Sequence, residues 1–289
     1  MTEVSGFHHA GIVTRDLDGL ARRYTELGFT VSPHSRHLLG AGPGEPPVPG
    51  RAADRCVLFG DSSIELLGIV DESAPDPWHT RAVIERYEGL RLLNLETADA
   101  VVSAERLAAA GLRTSGVLDL ARDVDTEDGV RTVRAKAVRI DPRSTPEGYL
   151  GLAQHLTRDH VHRPRSLVHD NGARGIGAVL IVASEDAFDA IVDRYVRILE
   201  LPPYEEGPLT LLRTGSVHME FVRAADAEKV LPGEPVPADS YLAAMTIRVA
   251  DAAEARDIVE DHGIPIQPTG DGFFVSARDA CGAGLFFTG

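Results

Sequence analysis

The pattern of apolar and polar residues predicts a chain built from short strands and amphipathic helices. Residues 8–14 (HHAGIVT) have the small and β-branched members that are typical of a strand. Residues 17–27 then place apolar side chains at helical spacing, with Asp16 or Asp18 as the N-cap and Gly28 at the end. Three more strand-like runs follow, FTVSP, DRCVLFGD and SSIELLGIVD. The first part of the chain is therefore predicted to form a βαβββ unit.

The same order of elements recurs three more times along the chain. The later units begin with strands at residues 91–99, 175–186 and 240–251, and each strand is followed by a helix. An acidic residue stands at every junction between strand and helix, as an N-cap would: Asp16, Asp99, Asp186 and Asp251. Such repetition indicates that each unit is one supersecondary module. We expect an α+β protein of four βαβββ modules.

Two stretches interrupt this periodicity. Residues 39–50 (LGAGPGEPPVPG) are rich in Gly and Pro, which predicts a mobile loop between the second and third strands of the first unit. Residues 157–174 form a polar linker and divide the chain into predicted domains at 1–165 and 172–289. His169 lies in this linker, where a lone histidine is expected at the surface unless it reaches one of the two domains.

Repeated units that begin HHAGIVTRDLD…YTELGF and end the first module with SSIELLGIVD resemble the vicinal oxygen chelate superfamily. That superfamily includes glyoxalase I, methylmalonyl-CoA epimerase, extradiol dioxygenases and bleomycin resistance proteins. Within it, QHLT followed by HDNGA makes the chain most similar to the two-cup glyoxalase-like domain proteins. The resemblance implies that paired modules form two incompletely closed eight-stranded barrels, or cups, covered by helices. It also implies a divalent metal ion in the cup, with ligands from first and last strands, and the loop at 39–50 would then serve as a lid.

Strand alternation indicates which side chain of the opening histidine pair faces the first cup. Ala10 and Ile12 must pack beneath the helix, and His8 lies on their side of the strand. His9 therefore points into the cup, and the resemblance places it at the first ligand position. His8 is expected at the surface or in support of His9.

The last strand of the first module carries one acidic residue between apolar neighbours. Ile64 and Leu66 take the helix side, which leaves Glu65 in the cup. A buried carboxylate needs a cation, a proton or a salt bridge to offset its lost hydration. The resemblance favours a metal ion at Glu65, and an ion pair with an arginine is the alternative.

The last strand of the second module supplies the third candidate ligand. Leu150 and Leu152 need the helix side, so His155 faces the cup behind two small residues. Gln154 takes its place if the strand carries a bulge. Glu96, on the first strand of the same module, also faces the cup and is the candidate general base.

Two histidines and one carboxylate suit Fe, Mn, Ni or Zn as a divalent cofactor. The leading hypothesis is a metal-dependent enzyme that acts on a small oxygenated metabolite, with lyase or isomerase chemistry through a metal-stabilised enolate-like intermediate. An Fe(II) extradiol-type dioxygenase is the alternative. A metal-free protein that sequesters a drug or metabolite is the alternative from another class. No histidine stands at the ligand position of the second module's first strand, which departs from the four-ligand pattern of glyoxalase I.

Composition narrows the partners to small molecules. The 289-residue chain has a net charge of −15, which disfavours binding to nucleic acid and to anionic membrane surfaces. No long apolar segment or signal peptide is evident, and two distant cysteines suggest a reduced cytoplasmic protein. The second cup offers His218 and Glu220 but no ligand set. We therefore expect a degenerate cup that serves packing or homodimer formation.

Overall fold

The computed structural model describes residues 4–39, 44–46, 48–76, 78–126, 129–160, 164–215 and 217–289. The strands of the first half are β1 (Val4–Thr14), β2 (Ser35–Leu39), β3 (Val48–Leu58), β4 (Ser63–Ile69), β5 (Gly89–Thr97), β6 (Thr114–Thr126), β7 (Gly129–Ile140) and β8 (Tyr149–His155). Its helices are α1 (Leu17–Glu26), α2 (Thr80–Arg86) and α3 (Ala100–Ala109).

The second half repeats this order, and five of its eight strands are shorter than their counterparts in the first half. Its strands are β9 (Ala173–Ala183), β10 (Tyr204–Glu206), β11 (Leu209–Thr214), β12 (Val217–Arg223), β13 (Tyr241–Val249), β14 (Gln267–Pro268), β15 (Gly272–Val275) and β16 (Gly284–Thr288). Its helices are α4 (Phe188–Leu199), α5 (Ala227–Val230) and α6 (Ala252–Asp261). None of the described helices is both long and apolar enough to cross a membrane.

The two halves form two eight-stranded sheets, which confirms the α+β architecture of four modules. The first sheet is a closed barrel in the order β1-β4-β3-β2-β6-β7-β8-β5, where an incompletely closed one was expected. It closes because the long β6–β7 hairpin brings β6 to β2, and Leu38 and Leu39 pair with Ala121 and Leu120. The second sheet stays open, in the order β10-β11-β12-β9-β13-β16-β15-β14.

Three of the four predicted N-caps form. The side chains of Asp16, Asp99 and Asp251 each accept a hydrogen bond from a backbone N–H in the first turn of α1, α3 and α6. The prediction for Asp186 is wrong, because α4 begins one residue later, after Ala187, with no side-chain cap. Three carboxylates therefore fix where a helix leaves its strand.

The predicted strands of the first module need one correction. The run FTVSP at residues 29–33 is not a strand, and β2 instead follows Pro33, which lacks a backbone N–H for a ladder. The loop assigned to residues 39–50 is shorter than expected, since β3 already begins at Val48. Residues 40–43 and 47 lie outside the described residues, so the mobility of this loop and its role as a lid stay predictions.

Helices α1, α3, α4 and α6 contribute buried apolar side chains to one core shared by the two sheets. That core runs without a break from strand residues of the first barrel to those of the second sheet. At its centre Phe29 stacks on Phe287, with ring centroids 6.0 Å apart. The backbones also meet directly, because Leu90 N–H donates to Gly282 O at 3.1 Å. A Cβ atom at Gly89 would lie 2.6 Å from that oxygen, so a side chain does not fit there.

The linker histidine is buried, where a surface position was expected. His169 is 5% exposed, and its Nδ1 accepts a hydrogen bond from Thr30 N–H at 3.0 Å. Its Nε2 then carries the proton and donates to Leu58 O, also at 3.0 Å. The neutral imidazole therefore ties the linker to the end of the first module.

We expect His169→Ala to destabilise the protein by about 2 to 4 kcal/mol, because it leaves the N–H of Thr30 and the C=O of Leu58 buried without a partner. Urea unfolding followed by circular dichroism measures the change in the free energy of unfolding. His34→Ala, at an exposed histidine, is the control and is expected to stay within about 0.5 kcal/mol of wild type. Equal stability of both variants would contradict a structural role for His169.

The same histidine makes stability depend on pH. Burial lowers the pKa of His169 below its ordinary 6.5, so the unfolded chain takes up a proton at a higher pH than the folded chain. The stability that His169 contributes is complete above pH 6.5 and declines as the pH falls below it. The difference in unfolding free energy between wild type and His169→Ala is therefore expected to shrink from pH 8 to pH 5.5. A difference that stays constant over this range would contradict a buried neutral imidazole.

Candidate metal and substrate site

The first barrel encloses a cavity of about 160 Å³. Ile84 of α2 packs with Val13 and Leu67 at one end of the barrel, and Leu167 of the linker packs near Leu58 at the other. Apolar side chains form much of the cavity wall. The charged and imidazole side chains that line it are His8, His9, His37, Asp54, Glu65, Arg122, Arg139 and His155. The cavity therefore combines an apolar wall with a dense group of ionisable side chains.

Both histidines of the opening pair line the cavity, although alternation on a regular strand would admit only one. The register between β1 and β5 shifts between Phe7 and His9, and this irregularity turns both imidazoles inward. His8 Nδ1 and His9 Nδ1 are 2.6 Å apart. Of the two positions expected for His8, the structure shows the one in support of His9 and not the one at the surface.

Glu65 faces the cavity between two imidazoles. Its Oε2 is 3.4 Å from His9 Nε2, and its Oε1 is 3.5 Å from His37 Nε2. Gly11 and Cys56 flank it on the neighbouring strands, so no large side chain intervenes. Among the described residues no arginine lies within 4.0 Å of Glu65, so the alternative of an arginine ion pair gains no support there.

His37 and Asp54 are the site residues that sequence analysis missed. His37 Nε2 is 3.4 Å from Asp54 Oδ2, and within the described part of the chain the donor atoms of His37, Asp54 and Glu65 form the one group of three that lies within 4.8 Å. β2 was placed at the wrong residues, so the side of the strand on which His37 lies could not be predicted. A register shift between Arg36 and Leu38 also marks this position as irregular.

Arg122 compensates the charge of Asp54. Its Nη1 donates to both carboxylate oxygens of Asp54, at 2.8 and 2.7 Å. Burial alone would raise the pKa of Asp54, but the charges of Arg122 and His37 outweigh it and hold that pKa well below its usual range. Burial, with the Asp54 charge beside it, raises the pKa of the Cys56 thiol, so this cysteine is a poor nucleophile.

The pKa values of Glu65 and His37 move in opposite directions. Burial would raise the pKa of Glu65, yet the imidazoles of His9 and His37 lower it overall. Burial would lower the pKa of His37, yet the carboxylates of Asp54 and Glu65 raise it. Both carboxylates are therefore held ionised inside the barrel, next to imidazole donors.

His155 lines the cavity, and Gln154 does not. Gln154 turns outward to the start of α3, where it donates to Ala98 O at 2.7 Å. The His155 ring stacks on His8, with centroids 4.6 Å apart. His155 therefore contacts His8, which in turn contacts His9. It lies outside the group formed by His37, Asp54 and Glu65. Its role as a ligand stays a prediction.

Glu96, the predicted general base, is held in an ion pair. Its Oε1 is 2.8 Å from Arg158 Nη1, and the same arginine donates to Asp61 O. Glu96 is not one of the residues that line the cavity. A role in proton transfer for this carboxylate also stays a prediction.

The second half has no comparable donor group among its described residues. Glu220 lies across from Leu211 on the neighbouring strand, and burial together with the charge of Glu206 raises its pKa to about 7. His218, two residues before it, has a pKa lowered by burial and by the nearby Arg213. Among the described residues no arginine or lysine lies within 4.0 Å of Glu220, whereas Arg122 pairs with Asp54 in the first barrel.

Comparison with known proteins places this geometry in a family. A family model described as the glyoxalase-like domain matches residues 7–199, which is most of the chain and all of the first barrel. The chain belongs to the glyoxalase-like domain family. None of the curated proteins matches it.

Solved structures share the fold of this glyoxalase-like protein. A hypothetical protein from Staphylococcus aureus matches with a TM-score of 0.67 at 14% identity, over 97% of this chain and 98% of that one. A mutant 4-hydroxymandelate synthase from Streptomyces coelicolor matches with a TM-score of 0.60 at 12% identity, over 98% and 91%. A fusion of a xylose isomerase-like TIM barrel and 4-hydroxyphenylpyruvate dioxygenase matches with a TM-score of 0.58 at 14% identity, over 91% of this chain and 39% of that one.

Each of the two pairs that Glu65 forms with an imidazole in the cup of this glyoxalase-like protein has the donor spacing of a divalent metal ion, although the donor atoms of His9, Glu65 and His37 do not all lie within 4.8 Å of one another. Two donors bound at about 2.1 Å to one tetrahedral ion stand about 3.4 Å apart. The separations from Glu65 to His9 and to His37 are 3.4 and 3.5 Å, longer than an N–H···O hydrogen bond. Asn94 Nδ2 lies 2.9 Å from His9 Nε2, so a cation at that nitrogen would take the place of this hydrogen bond.

We expect Arg122→Met to lower the free energy of unfolding by about 3 to 5 kcal/mol, because it leaves the Asp54 carboxylate buried without its cation. Urea unfolding measures the loss. Arg134→Met, at an exposed arginine of β7, is the matched control and should change little. The double variant Arg122→Met with Asp54→Asn should recover part of the loss, and a double variant less stable than the single one would contradict this interpretation.

Proposed function

We propose that this protein is a metal-dependent enzyme of the vicinal oxygen chelate type that acts on a small oxygenated metabolite. The observation that supports it most is Glu65 between His9 and His37 at 3.4 and 3.5 Å in an apolar-walled cavity. Two imidazoles and a carboxylate are a donor set for Fe, Mn, Ni or Zn. The cavity then leaves room beside these donors for a small substrate.

His9, Glu65 and His37 would hold the ion once their side chains close around it, since the described donors that already lie within 4.8 Å of one another are those of His37, Asp54 and Glu65. This assignment keeps two of the three predicted ligands and adds His37 from β2, with Asp54 beside it. Asp54 is bound by Arg122, so its first role is to hold the His37 imidazole in place. A bound divalent ion supplies a Lewis acid that stabilises negative charge on a substrate oxygen.

The histidines that remain in the cup can move protons. His8 contacts His9 through Nδ1 and stacks on His155, so the two imidazoles form a connected pair at the cavity wall. Imidazole accepts and donates protons near neutral pH, which suits proton transfer at a carbon next to a carbonyl group. We propose His8 and His155 for this role ahead of Glu96, which is engaged with Arg158.

We favour lyase or isomerase chemistry and keep ring-cleaving or other dioxygenation as the second candidate. The second candidate gains support from the names of two structural neighbours, a 4-hydroxyphenylpyruvate dioxygenase fusion and 4-hydroxymandelate synthase. At 12–14% identity these neighbours share the fold, and the fold does not fix the reaction. Metal-free sequestration of a metabolite is the third candidate.

Metal content tests the assignment of ligands. Wild-type protein purified without chelators is expected to carry about one transition-metal ion per chain, measured by plasma mass spectrometry. His9→Ala, Glu65→Gln and His37→Ala should each lose the ion and keep the far-ultraviolet circular dichroism of wild type. His155→Ala and the exposed control His34→Ala should keep it.

The metal content of the variants distinguishes the two sets of ligands, and assays of the wild type distinguish the candidate functions. Loss of metal in His155→Ala but not in His37→Ala would restore the set predicted from sequence. Wild type that binds no ion after incubation with Fe(II), Mn(II), Ni(II) or Zn(II) would favour the sequestering protein. Deuterium exchange into small oxo acids without oxygen uptake would support the lyase or isomerase, whereas oxygen uptake by the Fe(II) form would support the dioxygenase.

A further inference from the structure

Arg139 of β7 lies inside the cup, against two aromatic side chains. The centre of its guanidinium is 3.2 Å from the ring centroid of Trp78 and 4.7 Å from that of Tyr149. It also donates a hydrogen bond to the Tyr149 hydroxyl. Trp78 comes from the segment before α2, so it meets Arg139 at the end of the cavity that α2 closes.

Arg139 has no carboxylate partner among the described residues within 4.0 Å. Two other well-shielded arginines have one, since Arg122 pairs with Asp54 and Arg194 pairs with Glu147. Burial lowers the pKa of Arg139 to about 9, which still leaves the group charged at neutral pH. The one hydrogen bond that its guanidinium makes within the described part of the chain, to Tyr149, leaves further N–H donors for a ligand.

The aromatic side chains do not offset the charge. A cation over an aromatic ring gains about 0.5 to 2 kcal/mol, whereas removing a cation from water costs several kcal/mol. Trp78 and Tyr149 therefore fix the orientation of the guanidinium plane without neutralising it. A planar guanidinium in a fixed orientation is well suited to bind a carboxylate through two parallel hydrogen bonds.

The remaining lining of the cup restricts the size and charge of such a ligand. Val13, Leu67, Leu92, Leu120 and Val133 supply apolar wall, and the cavity is about 160 Å³. The ionised Asp54 and Glu65 in the same cup disfavour a ligand with several negative charges. A small acid with one negative charge and an apolar body fits both conditions.

We propose that Arg139 is the specificity-determining residue of the cup and binds the carboxylate of a small monoanionic acid substrate. This inference rests on the proposed function, because it names the substrate class of the same cup. The acid bound at Arg139 would extend its oxygenated end toward His9 and Glu65. The charge of Glu65 acts on Arg139, so the two groups lie within electrostatic reach across the cavity.

Matched acids and amides test this without knowledge of the substrate. Isothermal titration calorimetry would compare 4-methylpentanoate with 4-methylpentanamide, and benzoate with benzamide, on the full chain. The acid and the amide of each pair have nearly the same shape, and the acid carries a negative charge that the amide lacks. Wild type is expected to bind the acid of at least one pair about tenfold more tightly than its amide, both as purified and after treatment with EDTA. Titration of the EDTA-treated protein distinguishes binding at Arg139 from binding to a metal ion.

Variants of Arg139 complete the test. Arg139→Gln should remove the preference for the acid, Arg139→Lys should keep part of it, and Arg134→Gln on the outer face of β7 should leave it unchanged. Equal binding of acid and amide by wild type, no binding of either, or an unchanged preference in Arg139→Gln would overturn the proposal. A preference for the acid that depends on Arg139 in a protein that takes up no metal would support this inference and reject the metal-dependent function.

Discussion

Two ionised carboxylates inside a closed barrel control the chemistry of the cup. Asp54 and Glu65 are enclosed by strands, so water cannot offset their charges as it does at the surface. Arg122 neutralises Asp54 through two hydrogen bonds, whereas the ion-pair partners described for Glu65 are the imidazoles of His9 and His37. That difference is why we place the proposed metal ion at Glu65, with His9 and His37, and assign to Asp54 the role of holding the His37 imidazole.

The first sheet closes into a barrel and the second stays open because their strands differ in length. The long hairpin of β6 and β7 completes the first barrel and brings Arg122 and Arg139 into the cavity. In the second sheet the edge strands β10 and β14 are only three and two residues long. They do not pair with each other, and the sheet stays open. The helices of both halves share one core, and among the described residues the second half has no donor set of its own.

The sequence predicted the features that depend on periodicity and failed where a strand is irregular. Apolar alternation located Glu65 and His155 in the cup, and three aspartate caps were placed correctly. The inward turn of His8 depends on a register shift that the alternation does not reveal. His37 was missed because the strand that carries it follows a proline and has little apolar pattern. The ion pair between Arg122 and Asp54 depends on β6 lying two strands from β3 in the barrel, an order that local patterns do not predict.

The central claim is that one metal ion binds between His9, Glu65 and His37. Anomalous diffraction from crystals of the protein grown with Fe(II), Mn(II), Ni(II) or Zn(II) tests it most directly, since the peak gives the position of the ion independently of any assay. The account predicts one peak in the first barrel, at about 2.0 to 2.2 Å from His9 Nε2, a Glu65 oxygen and a His37 nitrogen. A peak bound to His155 without His37, or no peak in the barrel at all, would contradict it.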